Sequence, residues 1–114
     1  MSYINIMAGK SPEEGRNKSA GNVGWTFLTN HAHVLLTIAH EPEGVMRDVA
    51  QRVGITERAV QRIVADLQKA GYIQVIRSGR QNRYKVRANM NLRHPIERHR
   101  HVSDLIALLI GSSR

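Results

Sequence analysis

Residues 54–72 (GITERAVQRIVADLQKAGY) carry the clearest alternation of apolar and polar positions in the chain. Val60, Ile63, Val64 and Leu67 recur at helical spacing and predict one buried stripe. Thr56 suits the N-cap, because its hydroxyl can accept from a free amide of the first turn. Ala59 stands where a reciprocal cap would put Glu or Gln, so the cap is single-sided. Gly71, after Ala70, is the predicted stop. Upstream, Leu28, Ala32, Leu35, Leu36 and Ala39 predict an amphipathic helix over about residues 30–40, ended by Glu41-Pro42-Glu43-Gly44. Val34 and Ile38 lie off that stripe and suggest a second buried face, toward another subunit. Met46, Val49, Ala50 and Val53 predict a further helix, with Val45-Met46 reading either as a short strand or as its start. Gly54 separates that helix from the next by the short spacing of a helix-turn-helix.

Beyond Gly71 the period changes. Tyr72–Arg77 is rich in β-formers, residues 78–82 carry turn chemistry, and residues 83–87 alternate charged with apolar. This predicts a hairpin with Arg83, Lys85 and Arg87 on one face of its second strand and Tyr84 and Val86 on the other. Both alternate sets of the first strand hold apolar residues, so the pattern leaves its buried face open. After a linker at residues 89–91, Pro95 fits the first turn of a helix with an apolar stripe of Ile96, Val102, Leu105, Ile106, Leu109 and Ile110. So apolar a helix either packs back on the first helix or builds a two-fold dimer, and the dimer is the expectation.

Charge then changes the picture. The 114 residues hold 17 Lys and Arg against 9 Asp and Glu, a net +8 that points to a polyanionic partner. Residues 77–100 contain eight basic residues against Glu97 alone, so nearly all of the excess sits on the hairpin and the segment after it. One-signed charge beside a helix-turn-helix is what a phosphate-contacting wing requires. Residues 1–24 lack a period and predict a disordered tail. No apolar run is long enough to span a bilayer, and no secretory core segment is evident, so a cytoplasmic protein without membrane contact is expected.

The phrase DVAQRVGITERAVQRIVADLQKAGYI, residues 48–73, with a basic hairpin after it, resembles winged helix-turn-helix repressors of the MarR/ArsR type. The likeness extends to about residues 25–88. It implies a mainly α fold with a small β-hairpin (α+β), namely a winged helix-turn-helix with an added C-terminal helix. It further implies a homodimeric, sequence-specific repressor on double-stranded DNA, with residues 89–114 as linker and dimerisation helix. Carried over by position, Thr56, Arg58, Gln61 and Arg62 would face the major groove. Arg77, Arg80, Gln81, Asn82, Arg83 and Lys85 would form the wing. Glu57 departs from the small polar or basic residue often found there; its acid either reads a cytosine or faces away. The expected dimer interface is Trp25, Phe27, Val34, Ile96, Val102, Leu105, Ile106 and Leu109.

The remaining candidate chemistry is sparse. No Gly-rich phosphate loop, Ser/His/Asp arrangement or paired carboxylate suggests an enzyme. The absence of cysteine removes disulfides and thiol sensing. Glu97, His101 and Asp104 fall at spacings that could share a metal-bearing face, as in metal-responsive ArsR-like repressors. Arg98 and Arg100 interleave them, and no metal or cofactor is expected. Winged helices also serve as protein-interaction modules, the alternative reading of this chain.

Overall fold

The computed structural model describes residues 24–79 and 81–111. The expected tail (apart from Gly24) and Arg80 lie outside the described residues. In chain order the elements are α1 (Asn30–His40), α2 (Met46–Val53), α3 (Glu57–Lys69), β1 (Ile73–Ser78), β2 (Gln81–Val86) and α4 (Val102–Leu109). This is the predicted α+β winged helix with a helix added after the hairpin. The three first helices pack on one another, β1 adjoins α3, and β2 adjoins α1. Their shared core is Val34, Leu35, Ile38, Val49, Ala50, Val53, Val60, Ile63 and Val64, closed by Tyr72, Ile73, Tyr84 and Val102.

The helix-turn-helix forms as the sequence predicts. Gly54 and Ile55 both donate their N–H to Ala50 O, at 2.7 and 3.0 Å, and so close the turn. Thr56 Oγ1 accepts from Ala59 N–H at 3.0 Å, capping α3. At the other end, Gly71 adopts φ 89°, a left-handed conformation that costs any residue with a Cβ. There Tyr72 N–H reaches Leu67 O at 2.8 Å and Gly71 N–H reaches Gln68 O at 3.0 Å. Those two bonds satisfy helix-end carbonyls and turn the chain into β1.

The buried face of α1 is rotated from the expected one. Val34, Leu35 and Ile38 are buried, whereas Ala32, Leu36 and Ala39 are half-buried at its flanks. Val34 and Ile38 therefore serve the chain's own core and not a second subunit. The cause is geometric: α2, α3 and β2 all meet α1 on that side. A fully buried aliphatic side chain contributes about 1.5–3 kcal/mol, so the most enclosed face wins. Val45 is the N-cap residue of α2, which resolves Val45-Met46 as helix start.

The hairpin pairs Ile73 with Val86, Val75 with Tyr84, Ile76 with Arg83 and Ser78 with Gln81. The inward face is thus Ile73, Val75, Tyr84 and Val86, leaving Gln74, Ile76, Arg83 and Lys85 outward. Gln81 and Asn82 belong to β2 and not to the turn, because the connection is only Gly79 and Arg80. Gly79, at φ 66°, supplies the positive φ that so tight a link needs.

The C-terminal helix departs most from its pattern. Residues 95–99 form turns, and α4 begins only at Val102. Its start is set by local capping: His101 N–H donates to Asp104 Oδ2 at 2.9 Å. Val102 N–H and Ser103 N–H reach back to Met90 O and Ala88 O, at 2.9 and 2.8 Å, which draws Val102 into the core. Ile96, expected on the stripe, is 76% exposed.

Candidate nucleic-acid interface

α3 divides cleanly by face. Val60, Ile63 and Val64 are buried, while Glu57, Arg58, Gln61, Arg62 and Ala65 are exposed on the far side. Thr56 is exposed at the entry to the helix, with its oxygen engaged as the cap. The ion pairs among the described residues are His31–Asp66, Arg52–Glu41, Arg83–Glu43 and His101–Asp104, so Arg58 and Arg62 are taken up by none of them. Arg and Gln forks left open on a rigid helix can make paired hydrogen bonds to base edges. Glu57 in the first turn and Lys69 in the last both suit the helix dipole.

The hairpin joins the same framework, with β1 against α3 and β2 against α1. Arg77 and Asn82 face each other across the strands near the tip, and Gln81 begins β2. Arg83 and Lys85 are exposed on the outward face. Arg83 is not a free cation, since its guanidinium lies 3.3 Å from Glu43. Both partners are more than half exposed, so the pair contributes at most about 1 kcal/mol and can exchange for a phosphate.

Three ties that position this surface leave no trace in the sequence pattern. His31 Nε2 lies 2.9 Å from Asp66 Oδ2 and joins the start of α1 to the end of α3. Tyr84 N–H donates to Pro42 O at 3.1 Å and holds β2 against the α1–α2 turn. The Tyr72 hydroxyl donates to Asn91 O at 2.6 Å. Separations such as 35 residues for His31 and Asp66 carry no periodic signal.

The expected dimer residues do not form one surface. Val34 and Val102 are 0% and 1% exposed inside the chain's own core and offer nothing to a partner. Leu105 and Ile106 are half-buried on α4. Trp25 and Phe27 are exposed and stack edge to face at 5.0 Å, and Leu109 is exposed beside Leu108, which widens the apolar stripe of α4. Of the metal candidates, His101 and Asp104 approach to 3.7 Å, but Glu97 does not complete a group of three with them. Asp104 caps α4 through His101 N–H, and that bond, ahead of the charges of Arg100 and His101, holds its carboxyl below the usual range. Among the described residues no group of three His, Asp or Glu is placed to hold a metal.

A shallow groove of about 430 Å³ runs between α1, the hairpin and α4, lined by Ile38, Tyr84 and Ile106 and also by Ile76, Arg83 and Lys85. A second open cavity, of about 350 Å³, lies between α1 and the end of α4, lined by Leu36, Thr37, His40, Arg52, Leu109 and Ile110. Among the described residues no helix is long and apolar enough to cross a membrane.

In comparison with known proteins, the sequence profile described as the MarR family matches residues 25–83. That span is more than half of the 114 residues and takes in α1 through the first half of β2. No curated protein matches the sequence.

Proposed function

This chain belongs to the MarR family, and on that premise we propose that it is a cytoplasmic repressor that binds specific double-stranded DNA sequences as a homodimer. The observation that carries the reading is the open polar face of α3, Arg58, Gln61 and Arg62, in a chain whose hairpin also exposes Arg83 and Lys85. α3 enters the major groove and reads base edges, while the wing contacts phosphates and fixes the register. In the dimer, the exposed side of α4 at Leu108 and Leu109, with Trp25 and Phe27, meets its own copy across a two-fold axis.

Fluorescence anisotropy on a duplex library tests this. Gln61→Ala or Arg62→Ala relaxes sequence preference and costs ~1–3 kcal/mol on the preferred site. Lys85→Ala weakens all sequences alike and lowers the salt slope by about one. If no duplex is bound even at low salt, the reading fails and the fold is a protein-interaction module. Leu108→Asp with Leu109→Asp yields a monomer by sedimentation; an unchanged dimer moves the interface elsewhere.

A further inference from the structure

Between Asn91 and His101 the chain makes a closed loop that the proposed function leaves unused. Asn91 bridges His101, and Leu92 N–H donates to Arg100 O at 2.9 Å, which closes the neck. Inside, Glu97 N–H reaches His94 O at 2.8 Å, Arg100 N–H reaches Glu97 O at 2.9 Å, and the Asn91 side-chain amide reaches Arg98 O at 2.8 Å. From the core side, the hydroxyl of buried Tyr72 holds Asn91 O. The backbone is thus tied from several directions, while Arg93, His94, Arg98, His99 and Arg100 are all exposed. Glu97 is the only acid between residues 87 and 103, and none of the ion pairs among the described residues takes up an arginine of this loop.

We propose that this loop is a second nucleic-acid contact, binding phosphate backbone apart from the duplex segment that α3 and the wing tip engage. The inference rests on the DNA-binding reading above. Placement separates the two contacts. The loop comes after β2 and is anchored where α3 has already ended, at Tyr72. From there the six-residue strands carry the wing tip about 20 Å away. The read-out residues Arg58–Arg62 lie in the first half of the 13-residue α3, away from its Tyr72 end.

Chemistry selects the partner. Arginine forks match phosphate oxygens in pairs. A protein partner needs an apolar centre to its footprint, and this loop offers only Ile96. The DNA reached is therefore either a flank of the bound duplex bent toward the loop or a second duplex.

The test compares the full chain with a triple variant, Arg93→Ala, Arg98→Ala and Arg100→Ala, and with the matching triple Arg→Lys. All three side chains are exposed, so the fold is not at stake. On a duplex of about 20 bp that only α3 and the wing span, parent and Ala variant should bind alike. On one of about 60 bp the Ala variant should bind at least ~10-fold more weakly, with a salt slope lower by about 2–3, and the Lys variant should keep most of the parent's affinity. Capture of a free labelled duplex on immobilised DNA by the parent alone supports a second duplex; length dependence without capture supports a bent flank. Equal binding of both lengths by the parent and the Ala variant overturns the loop proposal alone and leaves the loop to an acidic polypeptide. Failure of every form to bind duplex overturns it together with the DNA-binding reading.

Discussion

α3 and the segment from Pro95 to Leu109 look alike as patterns: apolar residues at helical spacing, a basic opposite face, and a residue suited to the start. One becomes a 13-residue helix, the other a loop and then an 8-residue helix. In α3 no gap between apolar positions exceeds three residues, so each turn of the helix has something to bury. Between Ile96 and Val102 stand five polar residues in a row, and a helix there would bury nothing for more than a turn. The neck at Asn91 and His101 and the cap at Asp104 prevail instead. Helical spacing thus predicts a helix only where it is unbroken.

The sharpest way to break the comparison is through the core. Ile63→Ala in α3 should cost ~2–5 kcal/mol in urea unfolding. Val102→Ala should cost less but still ~2 kcal/mol, because Val102 is 1% exposed although α4 is short. A cost near zero for Val102→Ala would mean that α4 is not docked in solution. Next is the stop of α3. Gly71→Ala should cost ~1–2 kcal/mol, since a Cβ at φ 89° is strained although its nearest neighbour, Met90 Cε at 3.7 Å, leaves room for it; an unchanged melting temperature would refute it. Thr56→Ala at the start should cost ~1 kcal/mol, because only one side of the cap is present.

The smallest effect separates the two caps by pH. The Asp104 carboxyl is held below its ordinary range in the folded chain. Its contribution is therefore complete above the unfolded carboxylate pKa and is lost as pH falls through the lower folded value. Acid titration of helicity should show a small loss from α4, below the ordinary carboxylate range, that Asp104→Asn removes, while Thr56, which carries no charge, caps α3 unchanged. An identical acid profile in Asp104→Asn would remove Asp104 from that role.

Much of the fold is legible in the sequence, for a reason that can be stated residue by residue. The stripe of α3, the Thr56 cap and the Gly71 stop are local, and each behaves as local chemistry demands. The buried faces of α1 and β1 depend on which neighbours arrive, so the pattern alone points Val34 and Ile38 toward a subunit contact when they belong to the core. The candidate interface divides in the same way. Arg58, Gln61, Arg62 and Lys85 are exposed as the pattern requires, because they oppose a strong apolar stripe or alternate with one. The pairing of Arg83 with Glu43 and the use of Asp104 as a cap need the folded chain, since spacing alone does not say which partner a charge will take.

The bond from Tyr84 N–H to Pro42 O carries a consequence of another kind. A two-stranded ribbon has two open flanks, and an unpaired flank is a template on which another molecule's strand can add. Here the α1–α2 turn occupies one ladder position of β2 with a proline carbonyl. Proline has no N–H with which to extend the ladder further. The flank is blunted where it would otherwise invite stacking of wing on wing. Addition of another strand is thereby disfavoured on the β2 side of the hairpin.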